Sequence, residues 1–243
     1  MKKGKIYVGT SGWKYKHWNT VFYPPDLKQK DQLRFYHSIF DTVELNNSFY
    51  KQPAPEKFSA WKKEVPKNFI YAVKANRYFT HLKKLKVSAA DVNVFLDSAA
   101  RLGEKLGPIL FQLPPRWNVN LERLEAFLKL LPNSFRYAFE FRNATWYNLE
   151  VYALLQSYNV AFCIYELGSH ISPSIQTANF LYIRLHGPGE KYKGNYSEAT
   201  LKLWADFAKK TAKTGKDVYL YFDNDEAAYA AFNAQQFLGL LSS

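Results

Sequence analysis

Eight short apolar runs, spread along the whole chain and separated by stretches of helical periodicity, constrain this sequence more than any other feature. They are Ile6 to Gly9, Thr42 to Tyr50, Phe69 to Ala75, Gly107 to Pro115, Tyr137 to Arg142, Val160 to Tyr165, Phe180 to Gly187 and Asp217 to Asp225. Between them, VSAADVNVFLDSAARLGEKLG and LERLEAFLKLL place apolar residues at i, i+3, i+4 and i+7 and end near Gly or Pro, as amphipathic helices do. Strand then helix, repeated, is the pattern of parallel βαβ units. Several runs are apolar almost throughout, as parallel strands covered on both faces must be. Eight such strands in 243 residues favour an α/β single-domain (β/α)8 TIM-type barrel with parallel strands over an open doubly wound sheet. No G-x-G-x-x-G turn is present, and no Pro/Ser-rich linker interrupts residues 1–243. Two loops are long, Ser11 to Lys30 and Gly187 to Thr200.

In such a barrel the chemistry gathers at the C-terminal ends of the strands. Polar residues inside the apolar runs collect there: Glu44 and Asn46, Lys74, Gln112, Glu140 and Arg142, Arg184 and His186, Asp223 and Asn224. Glu44/Asn46, Glu140/Arg142 and Arg184/His186 are each two apart, which puts both members on one face of a strand. A charge buried in an apolar strand must be paired or used, because isolated burial is costly. Mutual pairing is the plainer reading. The functional one is a polar pocket in which Arg142, Arg184 and Lys74 bind an anionic group while Glu44, Glu140 and His186 transfer protons or ligate a metal. The loop HGPGEKYKGNYS after the seventh run has three glycines and two lysines, suited either to cradling an anion or simply to turning. Trp13 and Trp146, which follow strands, are candidate walls for a base or sugar, whereas Trp204 reads as core.

Other classes are excluded or weakened. A hydrophobic content of 47% excludes a disordered tail. The one cysteine, Cys163, excludes an intramolecular disulfide and sits mid-strand as a core residue, consistent with a cytoplasmic location. The basic start lacks a signal-peptide core, and no apolar stretch is long enough to span a membrane. No H-E-x-x-H, EF-hand or Walker sequence occurs, and Ser11 lacks the nucleophile-elbow frame. The net charge of +12 suits an anionic small molecule or a nucleic acid as partner. Much of that charge lies in HLKKLK (His81 to Lys86) and in Lys202 to Lys216, where lysines on helix faces need do no more than meet solvent.

The runs VGTSGW with FYPP, TVELNNSFYKQP, FIYAVKANRYFTH, GPILFQLPP, FEFRNATW and IRLHG with Tyr196 together resemble the domain-of-unknown-function 72 family, also called YecE-like, over nearly the whole chain. The resemblance implies a TIM-type barrel with a polar pocket built from Glu44, Asn46, Lys74, Gln112, Glu140, Arg142, Trp146, Arg184 and His186, with no securely assigned activity. Two positions depart from it: Asp223 stands where relatives commonly have Asn, and Glu166 where they often have Asp. The leading expectation is a phosphodiester hydrolase or nuclease, with Arg142, Arg184 and Lys74 holding phosphate, Glu140 or Glu44 acting as base or ligating a divalent cation, and His186 protonating the leaving oxygen. Asn46, Gln112, Trp13, Trp146, Tyr196 and Asn224 complete the substrate contacts. A sugar or sugar-acid isomerase or lyase, and a non-catalytic nucleic-acid-binding module, are the alternatives.

Overall fold

A computed structural model describes residues 2–242. All eight runs become parallel strands: β1 Ile6–Thr10, β2 Thr42–Leu45, β3 Ile70–Lys74, β4 Leu106–Gln112, β5 Tyr137–Glu140, β6 Ala161–Leu167, β8 Phe180–Leu185 and β9 Asp217–Phe222. The two-residue β7, His170–Ile171, folds back antiparallel on β6. Helices α1 Gln32–His37, α2 Asn47–Tyr50, α3 Pro55–Glu64, α4 Ala89–Ala99, α5 Leu121–Leu128, α6 Leu149–Ser157, α7 Glu198–Lys213 and α8 Tyr229–Ser242 alternate with them. The fold is α/β, of the (β/α)8 TIM type.

By compactness the chain divides into two units: Met1–Glu44 with Ile164–Ser174 and Asn179–Ser243, and Leu45–Cys163 with Ile175–Ala178. In the first, β9 lies between β1 and β8, in register from Ile6↔Val218 to Thr10↔Phe222 and from Phe180↔Asp217 to Leu185↔Phe222. The ladder continues one residue past the strand ends. Ser11 N–H donates to the Phe222 carbonyl at 2.9 Å, Asp223 N–H to Leu185 at 2.8 Å, and His186 N–H to Glu166 at 2.8 Å. Thr10, Leu185 and Phe222 thus end level, and Ser11, His186 and Asp223 leave the sheet at the same height. In the second unit β4 lies between β3 and β5, with Gln112 opposite Glu140, and β5 pairs with β6 through Ala138↔Ala161.

Local chemistry explains where the elements stop. The run from Thr42 to Tyr50, expected to be extended throughout, ends as strand at Leu45, and Asn46 already has helical angles (φ −101°, ψ −20°). Ser48 Oγ donates to the Leu45 and Lys74 carbonyls, at 3.0 and 2.6 Å, a side-chain competitor to the ladder that turns the chain into α2. The strand expected to reach Arg142 ends at Glu140. HLKKLK is not a helix face. Residues Tyr78–Leu82 form one wide turn, after which Lys84 and Leu85 take positive φ. The lysine face of α7 is as expected: Lys202, Lys210 and Lys213 are exposed while Leu201, Trp204, Ala205 and Ala208 are buried.

The aromatic residues, 18% of the chain, form much of the core. In the second unit the rings of Phe79, Phe95, Phe111, Phe127 and Phe139 follow one another at centroid spacings of 5.0 to 6.4 Å. In the first, Trp18, Phe22, Tyr23 and Phe40 pack likewise. Asn120, Asn148 and Ser197 cap α5, α6 and α7, and Ser88 with Asp91 makes a reciprocal capping box on α4. Lys105 is buried, and its ammonium donates to the Lys62 and Val65 carbonyls at the end of α3, both at 2.6 Å.

Gly9, in β1, is required by crowding rather than by backbone angle, since a Cβ there would come within 2.2 Å of the Thr42 carbonyl oxygen. Gly9→Ala is therefore expected to cost about 2 kcal/mol, in the range for forced overpacking, and to lower the thermal midpoint by roughly 5 °C. Circular-dichroism melts of the two proteins check this, and equal midpoints would contradict the contact.

Candidate functional site

The first unit carries a cluster around Arg184. This guanidinium is fully buried, and its Nη2 donates to Glu44 Oε1 at 2.6 Å, Asp223 Oδ2 at 3.2 Å and Ser11 Oγ at 3.3 Å. Glu44 is equally buried and also accepts from Ser11 Oγ and Tyr182 Oη, both at 2.7 Å. Asp223 Oδ2 lies 2.9 Å from His186 Nδ1, while His186 Nε2 is 3.4 Å from Arg184 Nη1. Arginine only donates, so the consistent tautomer carries its proton on Nδ1, given to Asp223, and accepts at Nε2. Two carboxylates surround one arginine and a neutral imidazole, leaving the cluster net negative. Arg184, expected to hold phosphate, is enclosed by carboxylates instead. Burial and the nearby Asp223, Asp225 and Glu44 carboxylates raise the Tyr15 phenol well above its ordinary range, and its hydroxyl donates to the Ser11 carbonyl.

Beside it, Asp225 accepts from Trp18 Nε1 at 2.5 Å and pairs with His17 Nε2 at 3.0 Å. Burial pushes the Asp225 carboxyl up to about 6, a rise opposed by the Trp18 hydrogen bond and by the charge of His17 and reinforced by Asp223. Since the folded protein binds this proton more tightly than the unfolded chain, Asp225 takes stability away as pH rises from about 4 to about 6.

The second unit carries a cluster of opposite character. Glu140 is fully buried, accepts a very short hydrogen bond from Arg142 Nε, and lies 3.9 Å from Cys163 Sγ. Lys74 Nζ sits 4.4 Å above the Phe49 ring, and the His81 ring meets the same Phe49 edge-on at 5.1 Å. His81 Nδ1 is 2.9 Å from Thr80 Oγ1. Partial burial, then the charges of Lys74, Arg77 and Arg142, lower His81 to about 4. Three cations against one carboxylate make this cluster net positive, with a neutral imidazole among them. His81 is the site residue that strand-end reasoning missed. It lies in a turn several residues past β3, and only its place in FIYAVKANRYFTH signalled it.

The other expected site residues divide. Glu44, Glu140 and His186 are each 0% exposed, which makes the two acids holders of arginines rather than groups open to a substrate. Arg184 and His186 do meet, as do Glu140 and Arg142, but Asn46 has left the strand alternation that was to pair it with Glu44. Gln112 is half-buried and bonds the Leu113 carbonyl at 3.3 Å. Trp146 is no pocket wall: it is fully buried, stacked on Phe141, and donates to the Trp117 carbonyl at 2.8 Å. Trp13 is half-buried, its carbonyl accepting from Tyr23 Oη. Tyr196 and Asn224 are buried and brace the loop after β8, Tyr196 Oη accepting from Gly187 N–H and Asn224 Nδ2 donating to the Gly194 carbonyl.

That loop does not offer the anion cradle its glycines suggested. The N–H groups of Gly187, Tyr192, Lys193 and Gly194 donate to Tyr196 Oη, the His186 carbonyl, the Glu190 carbonyl and the Glu226 carboxylate. Gly187 is there for close approach, with φ of 109° and the Lys193 carbonyl oxygen 2.1 Å from where a Cβ would stand. Glu166, buried and raised by that burial, accepts from Trp204 Nε1 at 3.0 Å. Among the described residues no group of three or more His, Cys, Asp or Glu converges to hold a metal ion, and no helix is long and apolar enough to cross a membrane.

A TIM-type α/β barrel with charged clusters at its strand ends is a class that hosts many chemistries. Within that class the chain is placed by its relatives: residues 7–243 match the model of a protein of unknown function, DUF72, and the chain belongs to this family. It is 26% identical to the UPF0759 protein YunF of Bacillus subtilis, covering 97% of this chain and 94% of that one. The UPF0759 protein YecE of Escherichia coli is 27% identical over 143 residues, 58% of this chain and half of YecE. A solved DUF72 family protein from Thermotoga maritima superposes with a TM-score of 0.88 at 27% identity, over 98% of this chain and 100% of that one. Another, from Enterococcus faecalis, gives 0.85 at 20% identity, over 98% and 96%.

Two measurements test the clusters. Glu44→Gln leaves a buried guanidinium undercompensated and is expected to cost about 3 kcal/mol in urea unfolding, with Arg184→Met in the same background recovering part of the loss. A double variant no more stable than the single would contradict this. Lys74→Met removes a cation facing His81, so the His81 ring titration followed by NMR is expected to move up from about 4 toward the ordinary histidine value. An unmoved midpoint would show that the lysine does not act on the imidazole.

Proposed function

We propose that this protein is an enzyme acting on a phosphate-containing substrate, most concretely a phosphodiester hydrolase, and that the phosphate is held by the cationic cluster of the second unit. One observation carries this reading: Lys74, Arg77 and Arg142 act together on His81, with Glu140 as the matched carboxylate. Such a field favours an anion and stabilises charge that builds on phosphoryl oxygens. Glu140 is then a positioning residue, fixing the Arg142 fork so that its remaining N–H groups face a bound anion. His81, neutral at pH 7, is the group that takes a proton from the attacking water and returns it to the leaving oxygen. The net-negative surroundings of Arg184 support a structural part for the first cluster.

The test is turnover of bis(p-nitrophenyl) phosphate and of short single- and double-stranded DNA and RNA, with and without Mg²⁺ or Mn²⁺. His81→Ala and Arg142→Ala are each expected to lose roughly 100-fold or more in kcat/KM, while Glu104→Gln, on the exposed surface, keeps full activity. Because kcat/KM reports the free enzyme, its acidic limb is expected near pH 4, where His81 titrates, rather than near 6.5. Cleavage equal in wild type and both variants would overturn the reading.

A further inference from the structure

A cavity of about 350 Å³ opens between the segment after α2, the Tyr78–Leu82 turn and α4. Phe79 and Phe95, both buried, supply its apolar lining together with Tyr78, and Asn76 shapes its edge. The Asn76 carboxamide is committed to the chain, Nδ2 donating to the Ser48 carbonyl and Oδ1 accepting from Tyr78 N–H, both at 2.9 Å. Gln52 is different. Its Nε2 and Oε1 are both shut off from solvent, and neither has a hydrogen-bond partner among the described residues. A buried amide with donor and acceptor both unmatched is costly and rare in a folded protein. Asp91 adds a carboxylate: Oδ2 is engaged by Ser88 N–H and Oγ, while Oδ1 has only a long 3.5 Å contact from Tyr78 Oη.

We infer that this cavity binds the heterocyclic base of a nucleoside, a purine or pyrimidine ring lying against its aromatic lining with its polar edge read by the Gln52 carboxamide and Asp91 Oδ1. An adjacent donor and acceptor, as a carboxamide presents them, match the donor–acceptor edge that every base carries. Aromatic side chains provide sequence-tolerant contact for the ring. The volume lies at the small end of the roughly 300–1,000 Å³ range of small-molecule sites, which fits one ring system and its sugar and excludes a folded partner segment. Asn76 and Tyr78 flank Arg77 and follow Lys74 by two and four residues, so one short stretch supplies both the cavity edge and two of the proposed phosphate-holding cations. To that extent the inference rests on the function proposed above and narrows its substrate to a nucleotide or nucleic acid.

Uncharged nucleosides separate the two claims. Adenosine, guanosine, cytidine and uridine are titrated individually into the full-length protein by NMR, and inorganic phosphate is titrated separately. At least one nucleoside is expected to saturate at millimolar concentration or below, with Gln52→Leu weakening it roughly tenfold through the loss of two hydrogen bonds. Inorganic phosphate binding is expected to be unchanged in Gln52→Leu and lost in Arg142→Ala. Val94→Trp, at a 68% exposed position lining the cavity, is a second variant that spares the core and is expected to abolish nucleoside binding by filling the space. Failure of all four nucleosides to saturate at about 10 mM, or nucleoside binding unaffected by both variants, would overturn the inference. Loss of phosphate binding alone would overturn only the function proposed above.

Discussion

A buried charge must be met where it stands, and in the first unit that requirement falls on Arg184. Its guanidinium is wholly withdrawn from water, so Glu44, Asp223 and Ser11 have to arrive within hydrogen-bond distance of it. They come from three separate stretches of sequence. What brings them is the parallel register, which ends β1, β8 and β9 level and carries the ladder one residue further at Ser11, His186 and Asp223. Sheet geometry and ion pairing are therefore one constraint: a one-residue slip of β9 would swing Asp223 to the other face and strand the arginine.

The same accounting separates the two clusters. Around Arg184 the carboxylates outnumber the arginine and the imidazole is satisfied at both nitrogens. Around His81 the cations outnumber the carboxylate. Hydrogen bonds alone would not have made that distinction, since each cluster contains an arginine, a glutamate and a histidine. The sign of the local sum decides which can attract an anion and which is an internal brace.

The fold was legible because its signal is long and repetitive: eight apolar runs alternating with amphipathic stretches leave few architectures. The run ends were less legible. Nothing in the alternation of TVELNNSFY announces that Ser48 will capture two carbonyls and bend the chain after Leu45. The polar residues of the strands were correctly singled out as a set, and Glu140/Arg142 and Arg184/His186 do meet. Burial, however, is a property of three dimensions. Trp146 looked like a pocket wall from its place after β5, but Phe141 and Trp117 enclose it. The glycines of the loop after β8 were visible while the acceptors that occupy its N–H groups were not. His81 was hidden for the converse reason: its neighbours Lys74 and Arg142 lie 7 and 61 positions away in sequence and act on it only in the folded chain.

Asp223 and His81 illustrate how a single charge sets the chemistry of an imidazole. His186 has a carboxylate 2.9 Å from Nδ1, which fixes its tautomer and would stabilise its protonated form. His81 has a hydroxyl in the corresponding place and cations beyond it, which disfavour a second positive charge. A phosphate among Lys74, Arg77 and Arg142 would reverse that second balance, because its negative charge offsets the field that holds His81 neutral. Under the proposed function the imidazole would then become more basic when substrate is present, accepting a proton in the complex that it refuses in the free protein. The proton-accepting group would thus be strengthened by the anion whose cleavage it serves, and Glu140, by tying down Arg142, would set how strongly the two are coupled.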